Sequence, residues 1–359
     1  MPLLKAAPVP RLSPIARQTG ALAVGALAGY ACALVHTPIP WMLGPLFSVA
    51  FLRLGGVDIA APRPARYVGQ WVIGTSLGLY FTPYAMREVG GVWSMLVAGA
   101  AFALGLGYVS GVVLARIARI DKTTGFFASV PGGAAEMATL GERFGARVDR
   151  VAAAQSFRIL IVVAIVPTVI TALGIQGTDR YAQGATYFDV RGFLSLMVLT
   201  LAGCALFQWF RVPNAFVLGS LAVAIPLTAG EIDLSAMPSG VANAGQWLLG
   251  CALGSRFERN FLRDAHRFMG AVALTVILSI VLSALFGIGL AWASGLHPAT
   301  LVLGNAPGGI AEMCITAKVL QLGVPLVTAF HVTRLVVLLL VTPVVFARVR
   351  RWYRGRGGR

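Results

Sequence analysis

The stretch NAPGGIAEM (residues 305–313) and its near copy SVPGGAAEM (residues 129–137) are the most informative parts of this sequence. Each joins a Pro-Gly-Gly, which interrupts a helix, to a glutamate three residues after the second glycine. Both lie within long apolar segments, where neither a helix breaker nor a carboxylate is expected. The same combination at two places therefore needs a structural or a functional reason.

Composition indicates that these apolar segments lie in a membrane. Hydrophobic residues make up 57% of the 359 residues and charged residues only 12%, and the mean hydropathy is +0.80. Soluble domains average about 25% charged residues. Several apolar windows approach the ~20 residues that cross a bilayer, namely 19–35, 92–114, 151–173, 193–210, 269–292 and 325–346. The first has no convincing signal-peptide cleavage site, so we interpret it as a retained span.

The chain also contains an internal repeat with a constant offset, the one that superposes Pro131 on Pro307. At this offset, residues 69–78, GQWVIGTSLG, align with residues 245–254, GQWLLGCALG, and are identical at six of ten positions. The same offset superposes the two Pro-Gly-Gly motifs and then aligns Arg158 with Arg334. We therefore predict two homologous halves, a first membrane repeat over residues 1–178 and a second over residues 179–359.

The distribution of basic residues predicts how the halves cross the membrane. Each half contains six apolar segments, of which the fifth carries the Pro-Gly-Gly motif. If the N-terminus is cytoplasmic and both fifth segments are broken or re-entrant, 23 of the 29 Lys and Arg residues fall on the cytoplasmic side, as the positive-inside bias favours. The predicted fold is an all-α polytopic membrane protein of two inverted repeats, with about five crossings each and both termini cytoplasmic.

The two motifs and the arginines that follow them form the candidate binding site. Irregular backbone at membrane depth occurs where protein or a water-filled cavity satisfies it, and paired helix interruptions in two halves point to a transporter's binding site. Ionisable residues at that depth are functional candidates. The candidates are Pro131, Gly132, Gly133, Glu136, Arg158, Pro307, Gly308, Gly309, Glu312 and Arg334. An arginine and a half-helix N-terminus could hold an anionic solute, and either glutamate could carry protons.

A structural interpretation of the same residues stays open at this point. Glu136 could pair with Arg158, and Glu312 with Arg334, as buried ion pairs that only fix how the halves pack. The glycines could simply allow helices to approach closely. The arginines need some partner in either case, because an unpaired arginine in a membrane is costly.

Three further polar residues are candidates for the same site. His331 lies three residues before Arg334, as Gln155 lies before the first arginine, so each pair shares a helix face. His331 could titrate near neutral pH or serve as a hydrogen-bonded packing residue. Gln70 and Gln246, in the second repeated motif, could line a cavity or form hydrogen bonds between helices.

The twin PGG..EM blocks, the GQW..G..LG pair and the duplicated layout resemble the AbrB family of bacterial integral membrane proteins. The resemblance covers essentially the whole chain. It implies location in the inner membrane, a duplicated membrane domain and a regulatory role in gene expression. Members have also been labelled ammonia monooxygenases. The resemblance brings no catalytic residues with it, and the soluble DNA-binding regulators of the same name have a different fold.

Other classes of function lack the residues that they need. A copper or di-iron oxygenase needs clustered histidines or carboxylates, but the four histidines fall in different segments. No phosphate-binding loop occurs, and the four cysteines show no paired spacing. Most of the net charge of +16 flanks apolar segments or lies in the tail 348–359. We therefore predict contact with the lipid bilayer, no direct nucleic-acid binding, no enzyme activity and no cofactor.

Two functions remain. The favoured hypothesis is a secondary carrier of a small solute, coupled to protons through Glu136 or Glu312. The alternative is a membrane sensor or regulator that acts indirectly on gene expression without transport. The sequence leaves open the identity of the solute and whether the protein forms a homo-oligomer.

Overall fold

The computed structural model describes residues 13–178, 181, 183–257 and 266–356. These residues form fifteen helices and no β-strand, so the predicted all-α fold is confirmed. In chain order, α1 to α15 are Pro14–Leu34, Pro40–Leu54, Arg63–Gly78, Pro83–Gly91, Trp93–Ala118, Lys122–Ser129, Ala134–Arg143, Val148–Ala172, Val190–Trp209, Ala215–Ala229, Ser239–Gly254, His266–Ser294, Pro298–Asn305, Ile310–Val319 and Val324–Arg356. Both chain ends, predicted to be cytoplasmic, and residues 179 and 180 beside the predicted repeat boundary lie outside the described residues.

Five helices are long and apolar enough to cross a membrane, which agrees with the membrane interpretation. They are Trp93–Ala118, Val148–Ala172, Val190–Trp209, Arg267–Ser294 and Val324–Thr342. Pro40–Leu54 and Ala215–Ala229 are apolar but shorter. Helix α1, predicted as the first span, is less apolar than these five, because Arg17 and Gln18 lie near its start. The number of crossings per half stays a prediction.

The structure interrupts each fifth segment at its Pro-Gly-Gly motif. Helices α6 and α7 flank the first interruption, and α13 and α14 flank the second. The residues before the prolines, Val130 and Ala306, leave the helical conformation, with ψ of 127° and 140°, because a following proline disfavours it. The second glycines, Gly133 and Gly309, are the N-caps of α7 and α14.

Helix boundaries recur along the chain at the offset found in the sequence. Helices α6 and α13 are related by this offset at both ends, and so are α7 and α14, and α3 and α11. The first residues of α1 and α9 are related by it too, as are those of α8 and α15. This regularity is what a duplicated chain requires, although the duplication itself stays a prediction.

The chain divides into two compact units, and neither unit is one of the predicted halves. The first unit comprises residues 1–70 and 239–266, and the second comprises residues 71–238 and 267–359. Each unit therefore draws helices from both halves. The boundary between repeats stays a prediction, because a sequence repeat and a compact unit need not coincide.

In the first unit, the repeated GQW motif joins α11 to α1 and α2. Trp247 donates its indole N–H to the carbonyl oxygen of Leu22, at 3.1 Å. Gly250 lies so close to α2 that a Cβ on it would be 2.6 Å from the carbonyl oxygen of Met42. Only glycine allows this approach between backbones.

In the second unit, the other copy of the motif joins the end of α3 to α9 and α10 in the same manner. Trp71 donates to the hydroxyl of Thr200, at 2.9 Å. A Cβ on Gly74 would lie 2.9 Å from the carbonyl oxygen of Val217. The tryptophan and glycine of this motif therefore have a packing role in both copies.

Helices α5 and α12 run antiparallel beside each other in the second unit. The rings of Phe102 and Phe286 stack with their centroids 4.0 Å apart, and the hydroxyls of Ser110 and Ser279 lie 3.1 Å apart. As the residue number rises along α5, the number of the contacting residue in α12 falls, so the two helices are antiparallel. Since these helices occupy equivalent places in the two halves, their direction is compatible with inverted repeats, and the inversion stays a prediction.

Candidate functional site

The two interrupted segments meet at a small cavity in the second unit. About 20 Å³ is open to the centre of a water-sized sphere, which is room for one or two water molecules. Both motif prolines and both motif arginines line it. Its polar residues are Ser110, Ser129, Arg158, Thr275, Ser279, Ser283, Asn305 and Arg334, and none of the described residues that line it is a carboxylate.

Arg158 binds the main chain of the first interruption. Its side chain is 4% exposed, and its two Nη atoms donate to the carbonyl oxygens of Val130, at 3.0 Å, and Gly132, at 2.9 Å. The Val130 carbonyl belongs to the C-cap of α6, where the helix dipole favours a cation, and it also accepts a hydrogen bond from the Gly132 N–H, at 2.8 Å. The arginine therefore stabilises the break itself.

Arg334 binds the second interruption at the equivalent atoms. Its Nη atoms donate to the carbonyl oxygens of Ala306, at 2.5 Å, and Gly308, at 2.6 Å. From the sequence we expected a glutamate or an anionic solute as the partner of each arginine, and these carbonyl groups were not foreseen. Carbonyl partners could not be read from the sequence, because every residue carries one.

The residue three positions before each arginine differs between the motifs. Gln155 donates its amide to the carbonyl oxygens of Phe127, at 2.8 Å, and Val130, at 2.9 Å. His331 instead donates from Nε2 to Leu303, at 3.0 Å, and accepts from Arg334 at Nδ1, at 2.8 Å. Both ring nitrogens of this buried histidine are thus engaged, which favours the packing interpretation over the titrating one.

Each motif glutamate lies over the start of its own half-helix. Glu136 and Glu312 occupy the first turns of α7 and α14, where a carboxylate stabilises the helix dipole. A Cβ on Gly133 or Gly309 would overlap the carboxyl group, so glycine at the N-cap leaves room for it. Glu312 is buried and also lies within electrostatic reach of Arg158, the arginine of the other motif.

The two motifs differ in how completely their polar atoms are satisfied within the protein. Four buried side-chain atoms of the first motif and of α8 lack a hydrogen-bond partner among the described residues: Ser129 Oγ, Glu136 Oε2, Gln155 Oε1 and Arg158 Nε. Among the described residues of the second motif and α15 up to Arg334, no buried side-chain atom is in this state. The first motif therefore contains buried polar atoms without a hydrogen-bond partner among the described residues, and the second motif contains none that is buried to the same degree.

Gln70 and Gln246 are buried but lie in the first unit, and they do not line this cavity. They sit where α3 and α11 cross, because a Cβ on Gly69 would be 2.7 Å from the carbonyl oxygen of Gly245. Their position fits hydrogen bonding between helices as one of the two alternatives. A binding role for them stays a prediction.

The hydroxyl and amide residues of the cavity were missed from the sequence. Ser129 and Asn305 occupy equivalent positions, each two residues before a motif proline, so their repetition was a signal that could have been used. Ser110, Ser279, Thr275 and Ser283 carried no such signal, because single hydroxyl residues are common in apolar helices and bond to their own backbone.

A second cavity in the same unit lies beside the start of α13 and was also missed. About 330 Å³ is open to the centre of a water-sized sphere, and Glu88, Tyr181 and His297 are among its lining residues. The Glu88 carboxylate accepts hydrogen bonds from the hydroxyls of Tyr84, at 2.6 Å, and Tyr181. Its lining comes from loops and helix ends that are distant in sequence, so no local pattern reveals it.

Comparison with known proteins finds relatives over nearly the full chain. The sequence model of a family described as "Transition state regulatory protein AbrB" matches residues 41–350. The chain is 27% identical over 355 residues to "Uncharacterized protein YhjN" of Bacillus subtilis (strain 168), covering 90% of each chain. It is 24% identical over 330 residues to "Putative regulator AbrB" of Escherichia coli (strain K12), covering 90% of this chain and 92% of that one. Neither relative is named as an enzyme.

Proposed function

The chain belongs to the AbrB family, and from that premise we propose that it is a secondary carrier that moves a small solute through the cavity between the two Pro-Gly-Gly breaks. One observation carries the proposal. Both interrupted segments, which lie in different halves of the sequence, end at one cavity that both motif arginines line. Paired broken helices that converge on a polar site within an apolar bundle are the usual construction of a secondary transporter.

The arginines support this proposal by holding the breaks open. A broken helix exposes carbonyl and N–H groups that hydrocarbon cannot satisfy. Each arginine supplies two donors to those carbonyls, so an irregular backbone persists beside the cavity. A packing role alone would not require the break, because an unbroken apolar helix packs without one.

The small size of the cavity supports a closed state of the carrier. A volume for one or two waters encloses only a very small solute, and the solute can enter or leave only when the surrounding helices move apart. Alternating access provides such movement, as one bundle of helices rocks against another. Protons are the proposed coupling ion, through Glu136, which has a buried carboxyl oxygen without a hydrogen-bond partner in the protein, or through Glu312.

A regulator is the second candidate function, supported by the names of the matched family and of the Escherichia coli relative. The same cavity would then sense the solute without passing it across the bilayer. In either case we propose the bacterial inner membrane, with both termini in the cytoplasm, because this orientation places most basic residues inside. Direct nucleic-acid binding is not part of the proposal, and self-association is left to measurement.

Flux through the purified protein separates the two candidates. Proteoliposomes would be loaded with a mixture of small metabolites and diluted, with and without an imposed pH gradient, and the retained solutes measured by mass spectrometry. A carrier predicts that at least one solute leaves faster than from empty liposomes, and that Ser279→Leu, which fills the cavity, abolishes the difference. Ser48→Leu in the other unit, where the hydroxyl bonds only to its own helix, is the matched control. Solute binding without any flux would favour the sensor.

A further inference from the structure

We propose that the cavity binds a small monovalent anion, and that Arg158 of the first motif, rather than Arg334 of the second, is its principal ligand. This inference rests on the proposed function, since it names the class of solute for the same cavity. It adds that the two motifs are not equivalent. The first motif binds the anion, and the second motif has a structural role.

Arg158 keeps donors that the protein does not use. A guanidinium has five N–H donors, and two of those of Arg158 go to the carbonyl oxygens of Val130 and Gly132. Its Nε is buried and no described residue accepts a hydrogen bond from it, although the residue lines the cavity and is only 4% exposed. Leaving a buried charged donor unmatched is costly, so an acceptor in the cavity is favoured.

Ser129 adds a second unmatched group to the same cavity. Its hydroxyl is buried without a partner and lines the cavity with Arg158. A hydroxyl can donate to an anion, and a guanidinium edge suits an anion with two oxygen acceptors. Ser129 belongs to the first motif, and Arg158 donates hydrogen bonds to the main chain of that motif.

Arg334 is more completely engaged. Besides two carbonyl groups, it donates to Nδ1 of His331. The equivalent residue, Gln155, donates its amide to carbonyls and accepts nothing from Arg158. The exchange of glutamine for histidine thus leaves the first arginine with one more donor than the second.

Charge and size define the class of ligand. Two guanidinium groups and several hydroxyls line the cavity, and no carboxylate of the described part of the chain does, so an anion is preferred over a cation. Glu312 offsets part of the charge of Arg158, which favours one negative charge over two. Space for one or two waters fits chloride, formate or nitrate and excludes larger carboxylates in this conformation.

The test is anion binding to the purified full-length protein in detergent. Sodium chloride, formate and nitrate would each be titrated by calorimetry, with gluconate keeping the ionic strength constant. We expect saturable binding of at least one of them. Arg158→Lys should weaken it about ten- to hundredfold, because lysine keeps the charge and loses the guanidinium edge, whereas Arg334→Lys should weaken it less than about threefold.

Milder variants keep the test valid if an arginine variant fails to fold. Ser129→Ala should weaken binding several-fold with an unchanged circular dichroism spectrum. Gln155→His, which copies the second motif, should weaken it, and the matched His331→Gln should not. The inference is overturned if no anion binds saturably, so that the cavity holds water only, or if the variants of both motifs weaken binding equally. Binding without flux in proteoliposomes would instead refute the carrier and leave the anion site standing.

Discussion

The two Pro-Gly-Gly motifs have the same hydrogen bonds between arginine and main chain, but they differ in which polar atoms remain without a partner. In both, an arginine binds the carbonyl groups at positions one before the proline and one after it. In the second, His331 accepts one further hydrogen bond from the arginine, and in the first, Gln155 accepts none. The hydrogen bonds from the arginine to the two carbonyl groups are the same in both motifs, so we infer that they are structural. The polar atoms that differ between the motifs are available for function.

This comparison also explains why arginine is used in both motifs. A lysine could neutralise the end of a half-helix, but it could not reach two carbonyl groups with a planar, fixed fork. The hydrogen bonds that stabilise the helix break use two N–H donors of each guanidinium. The remaining donors are then free to differ between the halves, and they do.

The largest expected effect comes from removing an arginine. Arg334→Ala should lower the free energy of unfolding by about 3–5 kcal/mol, because two buried carbonyl groups and His331 lose their charged donor. Arg158→Ala should cost less, since fewer protein groups depend on it. Denaturation with sodium dodecyl sulfate, followed by circular dichroism, measures both. An equal loss in the two variants would contradict the proposed difference in satisfaction.

The next largest effect tests whether the helices before the two Pro-Gly-Gly motifs, α6 and α13, pack in equivalent ways. A Cβ on Gly111 would lie 2.8 Å from the Cα of Phe126, and one on Gly287 would lie 2.8 Å from the carbonyl oxygen of Leu301. Each Gly→Ala variant should cost about 1–3 kcal/mol through overpacking, and the two costs should agree within about 0.5 kcal/mol.

Gly105→Ala and Gly289→Ala are the controls for that pair, because nothing lies within 4 Å of a Cβ at either position. They should be neutral or slightly stabilising, since alanine favours a helix more than glycine does. A large loss of stability at only one of Gly111 and Gly287 would contradict the proposed equivalence of the packing around the two motifs.

A smaller effect follows from exchanging the residues that differ. His331→Gln should cost about 1 kcal/mol, because Arg334 loses an acceptor while glutamine can still donate to the carbonyl of Leu303. Gln155→His should change stability by less than that, since it supplies Arg158 with an acceptor that it lacks. Thermal unfolding of both single variants and of the double exchange measures these differences. Two equal losses would argue against the comparison.

The smallest effect on stability is expected at the half-buried Glu136. Substitutions that break no hydrogen bond, ion pair or packing contact change the free energy of unfolding by about 0.5 kcal/mol or less. Glu136→Gln should cost at most about 0.3–1 kcal/mol, because it loses only the interaction of the carboxylate with the helix dipole and its free carboxyl oxygen has no partner among the described residues. If this glutamate couples protons, the same variant should remove the dependence of solute flux on a pH gradient. Retention of that dependence in the double variant with Glu312→Gln would exclude both as coupling groups.

The sequence was sufficient for the features that repeat. Apolar windows predicted the helical membrane fold, and the Pro-Gly-Gly motifs predicted two helix breaks, because proline and glycine act locally. The constant offset between the halves predicted equivalent helices whose bounds the structure reproduces. Arg158 and Arg334 were identified as needing partners because their charge is costly in an apolar segment.

The features that depend on three-dimensional contact were beyond the sequence. The partners of the arginines are carbonyl groups of the main chain, which no residue type reveals. The GQW motif in each half packs on the first two helices of the other half, as Trp247 does on α1 and Gly250 on α2. The offset between repeats does not reveal that the motif packs on the opposite half. The cavity itself joins six helices, so its hydroxyl lining could not be assembled from any one segment.

The central claim, that the cavity between the breaks is a passage and not a packing void, is tested most directly by thiol accessibility at Ser279. The four native cysteines are all free and can be replaced, and Ser279→Cys then puts one thiol on the cavity wall. We predict that a membrane-impermeant maleimide modifies this thiol both in right-side-out and in inside-out vesicles, whereas Val163→Cys, buried away from the cavity, stays unmodified. A Ser279→Cys thiol that no reagent reaches from either side would contradict the claim.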